Sequence, residues 1–179
     1  MSTNRPPTGL IEVQISKPEQ LFNSLDPSPF HERDLDADAE EYIVGWAREI
    51  PTHAAIHLLV HLPEHEVQRA RDIGLEKAVT NYFAYRASMT ERDVREVFRM
   101  GWRYLSIGIV VLLLCLLGNQ FLETNFGASP VTRVLQESLI ILGWVANWRP
   151  IEAFLYDWWP PRRRLQLYRQ LEKATVEIR

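Results

Sequence analysis

The sequence predicts an α+β membrane protein: a transmembrane helical hairpin inserted in a small cytoplasmic α+β domain with about three strands. Three observations predict it. Residues 104–118 (YLSIGIVVLLLCLLG) hold no charge, and with Asn119, Gln120, Phe121 and Leu122 they reach the ~20 residues that cross a bilayer as a helix. A second apolar stretch, residues 134–148, follows after a short polar turn. Short, alternating, β-branched runs lie on both sides of this pair, at residues 11–15, 55–62 and 175–178. A buried hairpin in a soluble core fits poorly, because a core helix in a chain of 179 residues should keep a polar face.

Taken in order, residues 11–15 (IEVQI) alternate as a half-buried strand, and Lys17-Pro18 ends it. Pro27 and Pro29 make the following segment irregular. Asp38 with Glu41 three residues on is the pattern of a helix cap and capping box, and Tyr42, Ile43, Trp46 and Ala47 then form one apolar face. Pro51 stops that helix. Residues 55–62 (AIHLLVHL) form a second strand, with Ile56, Leu58, Val60 and Leu62 on one face and His57, Leu59 and His61 on the other. Residues 64–87 are helical with an interruption at Gly74 and a buried stripe of Leu75, Ala78, Val79, Tyr82 and Phe83. Ser88 or Thr90 can cap a further helix, continuous with the first span to about Leu122. Gly127 and Pro130 turn the chain, and Pro150 kinks or restarts the second span. Pro160-Pro161 breaks the aromatic segment that follows, a short helix runs over 162–172, and TVEI closes the chain as a third strand. The expected organisation is residues 1–88, the N-terminal part of the cytoplasmic domain; residues 89–159, a juxtamembrane helix, the hairpin and an interfacial segment; and residues 160–179, a helix and strand completing the domain.

Charge fixes the expected orientation. Arg92, Arg95, Arg99 and Arg103 precede the first span, and Arg162, Arg163 and Arg164 follow the second. The turn over 123–132 carries no Lys or Arg, so both termini should be cytoplasmic. Trp102, Trp148, Tyr156, Trp158 and Trp159 suit the head-group level, where Arg103, Arg149 and the 162–164 triplet can meet lipid phosphate. The N-terminal half is acidic within a net charge of −3, and the few basic residues hug the membrane edge, which excludes nucleic acid as a partner. The polar, Pro-broken N-terminus has no apolar run of a secretory signal. The one cysteine, Cys115, lies mid-span, so no intrachain disulfide or cysteine-based zinc site is expected.

Four histidines, His53, His57, His61 and His65, recur every four residues. On a helix they would share a face and could hold zinc or copper. On a strand His57 and His61 stand ~13 Å apart, too far for one ion. The strand pattern favours two histidines on a polar face, and no metal or cofactor is expected. Asp34, Asp36 and Asp38 resemble the start of a calcium loop, but the glycine and the closing glutamate of such a loop are missing; they read as acidic residues at a helix start. Glu137 lies two turns into the second span, at a depth shared with Asn119, Gln120 and Gln136. These four are expected to form an intramembrane polar cluster. No nucleophile elbow, phosphate loop, HExxH or dinucleotide fingerprint occurs, and no enzyme is expected.

The tail FLYDWWPPRRRLQLYRQLEKATVEI, with DPSPFHERDLDADAEEYI upstream, resembles a group of small bacterial two-span membrane proteins with no assigned function. The resemblance implies a bacterial inner-membrane protein and supplies no activity, cofactor or functional residue. The function expected is a non-enzymatic interaction or assembly module that binds a partner protein or a second copy. Two alternatives stand beside it: a metal-dependent sensor or enzyme using the histidine row, and a small oligomeric pore using Glu137.

Overall fold

In the computed structural model of the chain, residues 9–52, 54–127 and 129–179 are described. The protein is mostly helical, with one long apolar helix and one small sheet. The elements run β1 (Leu10–Gln14), α1 (Ala37–Ala47), β2 (His57–His61), α2 (Glu64–Asp72), α3 (Leu75–Phe126), α4 (Pro130–Glu152), α5 (Trp159–Glu172) and β3 (Thr175–Ile178). They divide into two compact units. Unit 1 takes the described residues up to Glu91 together with Arg163–Arg179; unit 2 is Arg92–Arg162.

Unit 1 is built from both ends of the chain. Its three-stranded sheet has the order β1-β2-β3, with both pairings parallel. The register aligns Ile11 with Leu58 and Val176, and Val13 with Val60 and Ile178, so one face is continuously apolar. Leu58, Val60, Val176 and Ile178 are buried on it. Glu12, Leu59 and Glu177 align on the other face, where both carboxylates are exposed and only Leu59 is buried. Gly9 opens β1 at φ +111°, where a Cβ would sit 2.2 Å from the Ala55 carbonyl oxygen; only glycine tolerates that approach. The apolar core gathers Phe83, Ile43, Leu75, Leu21 and Leu171, each at 1% exposure or less.

Several local expectations are corrected by the tertiary context. The α1 cap is Asp36, whose carboxylate accepts from the Asp38 N–H at 3.0 Å, so Asp38 lies inside the helix. The buried face of α1 is Ile43, Val44 and Ala47. Tyr42 and Trp46 stay outside, where the Tyr42 hydroxyl donates to the Glu12 carbonyl at 3.2 Å. Gly74, at φ +73°, separates α2 from α3 as the sequence suggests. Ser88 and Thr90, however, cap nothing: their hydroxyls bond back to the carbonyls of Tyr85 and Arg86, and α3 runs unbroken for 52 residues. Pro160 and Pro161 do not break the chain either. They occupy the first turn of α5, where a missing N–H costs no helical bond.

Unit 2 is a helix pair, α3 beyond Arg92 and α4. Ser129 caps α4, its hydroxyl accepting from the Thr132 N–H at 3.1 Å. Pro150 lies inside α4, and the next residues, Ala153–Asp157, widen into a single π-helical turn. Of the described helices, α3 alone is long and apolar enough to cross a membrane by length and composition. The second helix, α4, has 23 residues but carries Arg133, Gln136, Glu137, Asn147 and Arg149 around its apolar centre.

Candidate functional site

The helices of unit 2 meet along a seam of small residues. Gly101, Gly108 and Cys115 recur every seven residues on α3 and are buried; on the other side Gly143 is buried against Cys115 and Ala153 against Gly101, and Thr132 and Pro150 are buried as well. A seven-residue repeat keeps one stripe of a helix facing its partner. Gly108 sets the closest approach: a Cβ there would lie 2.7 Å from the Asn147 Oδ1 and 3.1 Å from the Ala146 carbonyl oxygen. Pro150 explains the second contact, because it has no N–H to return to the carbonyl four residues earlier. Asn147 completes the crossing, its side-chain amide donating to the carbonyls of Gly108 at 3.1 Å and Gly143 at 2.9 Å. Gly118 meets Leu139, and Gly143 meets Leu112 and Cys115. Small residues and a satisfied amide are the devices that hold helices together where no hydrophobic force acts between them.

The open end of the pair carries an aromatic and ionic collar. Gly101 lets Phe154 lie against α3, where its ring packs edge-on to Trp102 at 5.7 Å and near Phe98 at 6.4 Å. Phe98 also meets Trp158 at 6.3 Å. The Trp158 indole N–H donates to the Phe154 carbonyl at 2.8 Å, a group that the wide turn leaves within reach. The Arg162 guanidinium lies 5.1 Å above the Trp158 ring, and Trp159 packs edge-on to the same ring. Arg149 is held by Glu152 at 3.1 Å and Asp157 at 3.4 Å, and the Trp148 indole donates to Glu152 at 3.0 Å. Trp102, Trp148 and Tyr156 are about two-thirds exposed, and Arg103 is exposed. Arg163 and Arg164 are exposed on α5 in unit 1.

Of the four residues expected to form a polar cluster, two are half-buried and two are exposed. Asn119 is half-buried with its Oδ1 enclosed and unpartnered. Gln136 is half-buried, while Gln120 and Glu137 face outward. Among the described residues no hydrogen bond or ion pair joins these four. The amide that does bind the two helices is Asn147, nearer the collar.

Unit 1 holds a different polar centre. The Glu40 carboxylate on α1 accepts from the Tyr82 hydroxyl at 2.7 Å, the Tyr168 hydroxyl at 3.1 Å and the Arg86 guanidinium at 2.9 Å. Arg86 also lies 5.5 Å above the Tyr168 ring. Burial and the Glu40 hydrogen bond push the Tyr82 phenol far above its ordinary pKa, so it stays protonated and serves as a donor. Beside it opens a cleft of about 430 Å³ lined by Asp26, His31, Glu32, Asp34, Asn81 and Tyr85. The Asp26 carboxylate accepts from the backbone N–H groups of Asp34 and Ser28, which hold its pKa below 3.8. Neither centre pairs a nucleophile with a base.

The histidine row divides among elements. His57 and His61 stand on the open face of β2, and His61 lies 3.6 Å from Glu12. His65 is on α2, and His53 lies outside the described residues. Among the described residues, no three His, Cys, Asp or Glu side chains converge as a metal site. The seven-residue spacing of Gly101, Gly108 and Cys115 is legible in the sequence and is the signal that would have found the seam. The Glu40 clasp has no such signal, because its members lie 42, 46 and 128 residues from Glu40.

No family model, curated protein or solved structure matches this chain.

Proposed function

We propose that the chain is a two-span protein of the bacterial inner membrane, with both termini cytoplasmic. It acts as a non-enzymatic interaction or assembly module whose unit 1 engages a partner protein. The observation that carries this reading is the inversion of polarity in unit 2. Its buried seam is made of small residues, while Leu113, Leu114, Leu117, Ile141, Leu142, Trp144 and Val145 are exposed. Such a surface suits hydrocarbon as its solvent. At 1.5 Å per residue α4 is about 34 Å long, enough to cross beside α3. The arginine-rich collar at one end, against a turn without Lys or Arg before Arg133, supports the orientation.

Thiol labelling in intact cells and inverted vesicles tests it, with Cys115 replaced by alanine and single cysteines placed at Gly127, near the N-terminus and at Arg179. Gly127→Cys should label from outside, and the other two from inside. Labelling of all three from one side would refute the two-span reading.

A further inference from the structure

We infer that unit 2 carries a self-association surface: in a dimer with its two-fold axis along the helices, Glu137 of one copy accepts a hydrogen bond from Gln120 of the other. The inference rests on the membrane-spanning reading of unit 2 and adds the identity of one partner, a second copy of this chain.

Glu137 is seven residues into α4, about 10 Å along its axis from Pro130. It is exposed and has no ion pair or hydrogen bond from its side chain among the described residues, not even with Arg133 one turn earlier. Beyond Arg133 and Ser138, its exposed neighbours Val134, Ile140 and Ile141 are apolar. A lone carboxyl facing hydrocarbon is costly, and membrane helices place such groups where a partner meets them. The antiparallel register set by Gly118 against Leu139 and Gly143 against Cys115 places Gln120 level with Glu137. Gln120 is also exposed, with no bond from its side chain among the described residues and with Leu116, Leu117 and Phe121 exposed around it. Helical phase, counted from the inward positions of each helix, carries both groups to the same side of the pair. One helix thus presents an acceptor and the other a donor, at one depth and on one face, and they do not satisfy each other.

A two-fold axis along the helices preserves depth and exchanges the helices. It sets Glu137 opposite the second copy's Gln120, and Gln120 opposite the second copy's Glu137. The surface is therefore self-complementary, and each contact is made twice. The amide has two hydrogens to give, and the carboxyl accepts whether it is ionised or neutral.

The test uses full-length protein labelled with donor and acceptor dyes, reconstituted in phosphatidylcholine–phosphatidylglycerol vesicles and diluted with lipid. Energy transfer between wild-type copies should persist on dilution. Gln120→Leu and Glu137→Leu should each lower the association constant about tenfold. The double variant should be no weaker than either single one, because both remove the same bonds. Glu137→Gln, which keeps an acceptor oxygen, should restore much of the association. Both leucines replace exposed helical residues, and unchanged circular dichroism will show that the helices persist. Carbonate-resistant protein that is monomeric at every dilution overturns the inference alone, as does wild-type association in both leucine variants. Release of the protein by alkaline carbonate overturns the membrane reading and this inference with it.

Discussion

The two units bury opposite kinds of residue. Unit 1 encloses Phe83, Ile43, Leu75 and Leu171, and it withdraws a carboxylate only with partners: Glu40, which three donors satisfy, and Glu66, which Arg69 holds at 3.2 Å. Unit 2 encloses Gly101, Gly108, Cys115, Gly143 and Ala153 and turns most of its leucines, isoleucines and tryptophans outward. In unit 1 the hydrophobic effect supplies the cohesion, at about 25 cal/mol per Å² of apolar surface removed from water. In unit 2 most of the large apolar side chains stay exposed. Cohesion there comes from close backbone approach, dispersion and the Asn147 bonds. The two units of one chain thus place their large apolar side chains in opposite ways, which is the contrast the membrane-spanning proposal for unit 2 rests on.

Truncating a large side chain in each unit should give the sharpest contrast. Phe83→Ala should cost unit 1 about 3–5 kcal/mol, read by chemical denaturation in mild detergent. Leu117→Ala, 63% exposed in unit 2, should change stability by less than about 0.5 kcal/mol. Similar losses at both sites would end the comparison.

Enlarging a small residue reverses the roles. Gly108→Leu drives a side chain into Asn147 and the Ala146 backbone, and should cost about 1–3 kcal/mol. The helices should persist while the pair opens. Cys115, buried against Gly143, should then react faster with a membrane-permeant maleimide, and an unchanged rate would show that the seam does not depend on Gly108.

The polar clasp of unit 1 should be worth less. Glu40→Gln removes the charge that Arg86, Tyr82 and Tyr168 share, and should cost about 1–2 kcal/mol. Because the groups act together, Glu40→Gln and Tyr168→Phe should combine to less than the sum of their separate losses. Strict additivity in a double-mutant cycle would refute a single network.

The smallest effect belongs to Asp26. Its folded pKa lies below 3.8, so it adds stability above that value and loses the contribution as pH falls through its lower folded pKa. Asp26→Asn should therefore be slightly less stable than wild type at neutral pH. The two should converge only at pH below 3.8. A difference that is constant with pH would assign the effect to shape and not to charge.

Sequence by itself determined what depends on neighbours a few residues away. The apolar helix through residues 104–118, the three strands, the stop at Gly74 and the stripe from Leu75 to Phe83 all follow from periodicity and backbone preference. Tertiary structure decided what depends on distant groups. Asp36 and not Asp38 caps α1, because the chain leaves the Phe22–Leu35 bridge there. Tyr42 turns outward because it finds the Glu12 carbonyl on β1. Ser88 and Thr90 could have started a helix, but their hydroxyls bond back to helix carbonyls and α3 continues past them. Glu40 and Tyr168, 128 residues apart, meet because β3 returns the chain's end to β2 in parallel register. Local pattern fixes which residues can turn inward; only the packed elements fix what each of them meets.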